Sequence, residues 1–352
     1  MAHLRHKKMG HSAIDGGWFG KVFPKLLLVL IIVILVWTQN NLLININYIC
    51  EEANLPSSFT GYKITHISDL HNTNLNVKWV VEKADPDVIV VTGGFADDDG
   101  NVDNSIRILN QLSEIAPTYY IYNTDDEQGS VSQSKATDIT NDSVELHNEG
   151  LSTEEFIKKN YGNGLITEAD RGIDSSVNKL KELEDNYNES LNDTIILAGI
   201  PNDIDENNAS TKVYSLIGND SNKFTLALLG NFDLLNSITK TNLKGLFIGG
   251  TMGTDRKSDE FKKGIYDLNG TSLYITGGVG TFDNVDRIFN FPEVQTIVLS
   301  DGTLEIKTPL DKFFDRIFNT IEDSPESSTD ATSTSSSADE NNKIPSKSSE
   351  IR

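Results

Sequence analysis

The chain has 352 residues, enough for one large domain with a sizeable core or for two small ones. Its net charge is −22; the first 25 residues carry +4 (five Lys/Arg against Asp15), which leaves −26 on the remainder. That balance argues against nucleic acid or an anionic membrane surface as partner and predicts a soluble, acidic exterior.

The first element is the unbroken apolar run at 26–37 (LLLVLIIVILVW), preceded by Arg5, Lys7, Lys8, Lys21 and Lys25. Twelve residues are short for a bilayer, which needs about 20. The apolar character resumes at Leu42-Leu43-Ile44, so a transmembrane anchor over 25–44 is predicted. A cleaved signal peptide is the competing reading. Against it, no A-x-A-like site follows Trp37, and the leading segment is long. The positive flank holds the amino-terminal segment 1–24 in the cytoplasm. The expectation is a single-pass protein of the cell membrane with its domain outside the cell. Cys50 is the only cysteine, so no disulfide forms within the chain.

After the anchor, short apolar runs alternate with helical patterns. Strands are predicted at 62–68, 87–92, 118–122, 195–199, 224–229, 245–249, 272–276 and 294–299. Helices are predicted at 76–84, ended before Pro86, and at 103–115, where Ile106, Leu109, Leu112 and Ile115 share a face. Such alternation points to an α/β fold with buried sheets. Residues 127–191 form a polar, acidic insertion. It holds a helix opened by the capping box at Ser152 and Glu155 and closed at Gly162, then an amphipathic helix at 176–187. The tail at 321–352 differs: 13 of the 26 residues at 324–349 are Ser or Thr. It buries too little apolar area to offset its ordering entropy and is expected to be disordered.

Within this frame Ile64-Thr-His-Ile-Ser-Asp-Leu-His71 reads as a strand ending in Asp-x-His. Residues two apart on a strand share a face, so Asp69 and His71 would present a carboxylate and an imidazole together, a pair able to bind a divalent ion. Alone the tripeptide is common, and its bland reading is a strand end with no ligand role.

The strand ends, taken in order, carry further pieces: Pro86-Asp-Val-Ile-Val-Val-Thr-Gly93, Pro117-Thr-Tyr-Tyr-Ile, Gly249-x-Thr-x-Gly253, Tyr274-Ile-Thr-Gly-Gly-Val-Gly280 and Arg287-Ile-Phe-Asn-Phe-Pro-Glu293. With Ile67-Ser-Asp-Leu-His71 they resemble the membrane-anchored branch of the calcineurin-like metallophosphoesterase family over 45–310. The resemblance implies a two-sheet β-sandwich flanked by helices (αββα), here within a domain at 45–320 that follows the one transmembrane helix. It also implies a pair of divalent ions (Mn, Fe or Zn) that activate a water and hold the phosphoryl oxygens. In the family the ligands arrive as D-x-H, G-D, G-N-H-D/E, an isolated H and G-H-x-H.

Most of these positions are changed. Asp69 and His71 stand where D-x-H should. The bridging carboxylate of G-D aligns with Gly94, the Asn ligand with Thr124 and the catalytic His with Asp125, while Asp126 is kept. The isolated His aligns with Asn231, and Gly250 and Met252 replace both imidazoles of the last motif. No His follows His147, so no realignment supplies them. Asp97, Asp98 and Asp99 lie just past Gly94 and would replace the bridge only if their loop folds back.

The expectation is therefore a degenerate member: a membrane-anchored, catalytically inactive binding or scaffolding protein that holds no metal cofactor, its partner an unidentified cell-envelope protein or ligand. Residual metal ligation falls to Asp69 and His71, with Asp126 and Asn231 as further donors. The alternative is an active metal-dependent hydrolase using a mononuclear or rebuilt site at Asp69, His71, Asp125 and Asp126. A third reading is a surface protein whose acidic insertion and tail make the contacts.

Overall fold

The computed structural model describes residues 18–123, 130–148, 151–218, 223–230, 232–249, 261–281, 287 and 290–304. The chain divides into two units, Met1–Glu305 and Ile306–Arg352; the second, with the tail expected at 321–352, lies outside the described residues.

One helix, α1 (Trp18–Asn41), opens the described chain. Its 24 residues run about 36 Å at 1.5 Å each. The stretch Val22–Asn41 is long and apolar enough to cross a membrane. Its side chains from Leu26 to Trp37 are 42–64% exposed, so the described protein does not cover them as it would a core helix. Thr38, Asn40 and Asn41 return their side chains to carbonyls one turn back, which satisfies polar groups at the apolar helix's end. The helix starts earlier than the predicted 25–44 and stops before Leu42. Ile44 already belongs to β1 (Ile44–Glu51), a strand missed because its Ile/Asn alternation was read partly as anchor.

Two six-stranded sheets follow. The first has the order β1-β12-β2-β3-β4-β5, with β2 (Lys63–Ile67), β3 (Val88–Thr92), β4 (Thr118–Ile121), β5 (Thr137–Asp138) and β12 (Glu293–Ser300). The second has the order β10-β11-β9-β8-β7-β6, with β6 (Ser143–His147), β7 (Thr194–Ile200), β8 (Thr225–Leu229), β9 (Gly245–Ile248), β10 (Gly264–Leu268) and β11 (Thr271–Ile275). Neighbours are parallel except at β12–β2, β10–β11 and β6–β7.

Strand alternation explains why the core strands read as continuous apolar runs. Val88 and Val90 enter a cluster shared by both sheets, with Leu197, Leu226, Leu228, Phe247 and Ile297. Their neighbours Ile89 and Val91 face a second cluster with Val80, Val81, Ile108 and Leu109 from α2 (Val77–Ala84) and α3 (Asp103–Leu112). Ala198, Ala227 and Leu229 turn outward to Ala209 and Val213 of α6 (Glu206–Ile217) and Leu235 of α7 (Leu235–Ile238). Strands of a sheet buried on both faces read as near-continuous apolar runs.

The segment expected as an insertion contributes to both sheets: β5 and β6 close one edge of each. The rest is a helical hairpin, α4 (Thr153–Asp170) and α5 (Asp174–Ser190). The Ser152–Glu155 capping box forms as expected. Gly162 does not close the helix; it kinks it, at φ 77° and ψ 173°, and the helix resumes to Asp170. The hairpin has its own small core of Phe156, Ile157, Leu183 and Tyr187.

Candidate functional site

The carboxyl ends of the parallel strands converge on one face, and small residues let them meet. An ideal Cβ on Gly249, after β9, would strike the hydroxyls of Ser68 and Thr92, after β2 and at the end of β3. One on Gly230, after β8, would strike the amides of Asn123 and Asn202, after β4 and β7. Crevices outside such strand ends are where α/β sheets bind ligands.

Asp69 and His71 lie here, but not on a strand. β2 ends at Ile67, and Asp69, His71 and Asn72 all have left-handed φ (52°, 40° and 52°). Strand alternation therefore does not place the pair, which corrects the expected geometry. The surroundings impose it: Asp69 N donates to Gly93 O, His71 N to Gly94 O and Asn72 N to Phe95 O, while Val279 N and Gly280 N donate to Ser68 O and Asp69 O. Three consecutive bonds on one side and two on the other hold a loop that costs of order 1–3 kcal/mol per strained residue.

The two side chains do meet. His71 Nε2 lies 3.6 Å from Asp69 Oδ1. His71 Nδ1 is 3.0 Å from the Ala96 carbonyl, an acceptor only, so that nitrogen carries the proton and donates. Asp69 is 1% exposed, and Ser68 Oγ donates to its Oδ2 at 3.0 Å.

A two-metal centre needs a bridging carboxylate beside this pair, and the position for it is closed. Gly94 has φ 69°, and a Cβ there would lie 2.8 Å from Asp69 Cα and 3.0 Å from Asp69 Oδ1. Gly278, at φ 68°, presses from the other side, its notional Cβ 2.6 Å from Asp69 Cβ. Among the described residues no three His, Cys, Asp or Glu side chains are grouped to hold an ion. The described residues around Asp69 do not fit a pair of ions. Asp97 does not supply the bridge: its Oδ1 accepts from the backbone of Asp99 and Asn101 and its Oδ2 from Asn72 Nδ2. Those bonds, the backbone of Asn101 foremost and then Asn72, pull its pKa below the usual carboxylate range.

Two groups that sequence reasoning missed complete the site. Arg287 is 5% exposed; its guanidinium donates to the carbonyls of Gly277 and Gly280. Burial pulls its pKa down, opposed by the carboxylates of Asp69 and Glu293. Glu293 is fully buried and accepts from Gly277 N, Gln295 Nε2 and Lys263 Nζ at 2.9–3.0 Å. The second group is an amide pair: Asn202 Nδ2 donates to Asn123 Oδ1 at 2.9 Å, and Asn123 leans on Gly93 and Gly230. The buried Arg and Glu of the Arg287–Glu293 piece were the available signal for the first; nothing in the sequence links residues 123 and 202.

Beneath them His66 is fully buried, its Nε2 2.8 Å from Thr92 Oγ1 and its ring edge-on to Phe247. Desolvation lowers its pKa to about 3, against the opposing pull of Gln295 and Asp69. Thr124, Asp125, Asp126, Asn231, Gly250 and Met252, named above as ligands or their replacements, lie outside the described residues.

No protein-family model and no curated protein matches the chain. Among solved structures, it is similar to the crystal structure of TT1561 of Thermus thermophilus, at 11% identity and a TM-score of 0.36, over 62% of this chain and 90% of that one.

Proposed function

We propose that this chain is a membrane-anchored, extracytoplasmic binding or scaffolding protein on a metallophosphoesterase-type fold whose two-metal centre has been dismantled. The observation that carries the reading is Gly94. The residue aligned with the bridging carboxylate has a left-handed backbone that strains a side chain, and a Cβ there would press on Asp69. The ordered motif pieces at the strand ends support the family, and the exposed apolar helix α1 supports the anchor. The positive charges before α1 support a domain outside the cell. Arg287 adds a cation beside Asp69 that is part of the protein itself, so the buried carboxylate has a counter-charge without an ion.

One observation favours the second reading. With Nδ1 of His71 committed to the Ala96 carbonyl, Nε2 is turned to Asp69, which is how a metal-binding imidazole is commonly oriented. That reading is an active hydrolase with a mononuclear site.

Elemental analysis of the full-length protein in detergent, with manganese-, iron- and zinc-supplemented hydrolysis of a phosphodiester panel, separates the two. The proposal expects substoichiometric metal and no metal-dependent turnover. A bound ion, with turnover of about 1 s⁻¹ or faster that Asp69→Ala abolishes, would establish the hydrolase instead.

A further inference from the structure

Beside the Asp69 loop, a cavity of about 570 Å³ opens at the ends of β4 and β7. Its volume lies in the range of small-molecule sites, about 300–1,000 Å³. The lining is unusual in its chemistry. Three side-chain amides, Asn123, Asn141 and Asn202, face it with Thr140 and the phenol of Tyr122. The only charged groups in the described lining are Asp203 and Lys212, one of each sign. The described wall carries no net charge, and on a chain of −22 it does not attract a phosphate or another anion.

Two of the amides are paired before any ligand arrives. One hydrogen of Asn202 Nδ2 is donated to Asn123 Oδ1, and Asn202 Oδ1 is left buried with no hydrogen-bond partner among the described residues. A buried acceptor without a donor costs of order 1–3 kcal/mol, so it is a place where a ligand donor gains most. Tyr122 N donates to Thr140 Oγ1, which fixes that wall, and Asn141 stands at the rim with φ 68°, its backbone N donating to Gly199 O. A side-chain amide both donates and accepts. Groups of that kind match a ligand whose own polar groups do both, and a ring of hydroxyls is that ligand. The Tyr122 ring and Ile204 supply the small apolar surface that suits the C–H face of a pyranose.

We propose that this cavity binds an uncharged, polyhydroxylated group, a sugar, carried either on a free glycan or on a lipid headgroup. The inference is independent of whether the Asp69 centre retains catalysis, because none of the lining residues named is Asp69, His71 or Arg287.

The test uses the full-length protein in phosphatidylcholine nanodiscs. One arm titrates it with neutral oligosaccharides of glucose, galactose, mannose and N-acetylhexosamines, with inorganic phosphate and adenosine as controls. A second arm places a glucosyl-diacylglycerol lipid in the nanodisc and reads protection of the cavity backbone by hydrogen exchange. Binding in the first arm identifies a free glycan, and protection in the second identifies a headgroup. Either must weaken at least tenfold in Asn202→Leu and at least threefold in Asn141→Gly. Asn141→Gly removes an exposed amide while keeping a residue at home with positive φ, so it guards against a merely misfolded Asn202 variant. Binding of no sugar in either arm, binding of phosphate or adenosine instead, or sugar binding indifferent to both cavity variants would overturn the proposal.

Discussion

A side chain at position 94 would need φ near 69°, and its Cβ would stand 2.8 Å from the Asp69 backbone. Placing a carboxylate there by Gly94→Asp is therefore expected to destabilise the domain by about 2 kcal/mol or more, read as a lower melting temperature, with no manganese binding gained. An unchanged melting temperature together with a new bound ion would show that the Asp69 loop gives way. A second residue makes stability depend on pH. His66 titrates near 3 when folded and near 6.5 when unfolded, because desolvation outweighs Gln295 and Asp69. Between those values the unfolded chain binds the extra proton, so the contribution is complete above pH 6.5 and declines as pH falls toward 3. From pH 6.5 to 5 the loss is about 2 kcal/mol. Chemical denaturation across that interval should show the slope, and His66→Gln should flatten it; equal slopes would remove His66 as the cause. Asp69 was legible because a strand leads directly into it. Its neighbours Arg287 and Asn123 were not, since their roles depend on chain brought together from 218 residues away and on an amide partner 79 residues on.

At the level of elements, the helical hairpin is the most separable part of the domain. Tyr187 stacks on Phe156 with centroids 4.1 Å apart, and its hydroxyl donates to Leu151 O. Polar ties join the hairpin to the short 3₁₀ turn at Ser57–Phe59 and its neighbour: Ser190 to Ser58, and Asn160 Nδ2 to Thr60 O. Tyr187→Ala is expected to cost about 3–5 kcal/mol, and the loss should fall locally. Hydrogen exchange should quicken across α4 and α5 while β2 and β3 stay protected; uniform loss of protection would mean the hairpin is integral to the core. The same contrast explains what the sequence disclosed. Strands buried on both faces read as unbroken apolar runs, and all eight predicted strands are present within a residue or so. β1, β5, β6 and β10 sit at sheet edges, where one face meets solvent and polar residues break the pattern. The kink at Gly162 is not legible in the sequence, because a glycine after a capped helix ordinarily marks its end.

At the scale of the whole molecule, the strand-end face and the end of α1 lie at one end of the first sheet. β12 pairs Gln295 with His66 of β2 and with Ile46 of β1, so the residues after β2 lie beside the start of β1, where α1 arrives. Arg287 N donates to Asn40 Oδ1 at 2.8 Å, which joins the site loop to the last turn of α1. Protease added to intact cells is expected to digest the domain and leave an amino-terminal membrane stub; full protection would reverse the proposed orientation. The arrangement also sets how the protein bears a mechanical load. Only Leu42 and Leu43 separate α1 from β1, and β1 runs parallel to β12 over eight paired residues, Ile44↔Glu293 through Glu51↔Ser300. Tension applied through α1 would thus enter β1 at its first residue and along its own axis. Such a pull shears the ladder, loading its hydrogen bonds together, where a hairpin pulled at its open end would unzip them singly. If α1 anchors the chain as proposed, a tether attached this way would let the domain resist drag without a disulfide, which a chain whose sole thiol is Cys50 cannot form within itself.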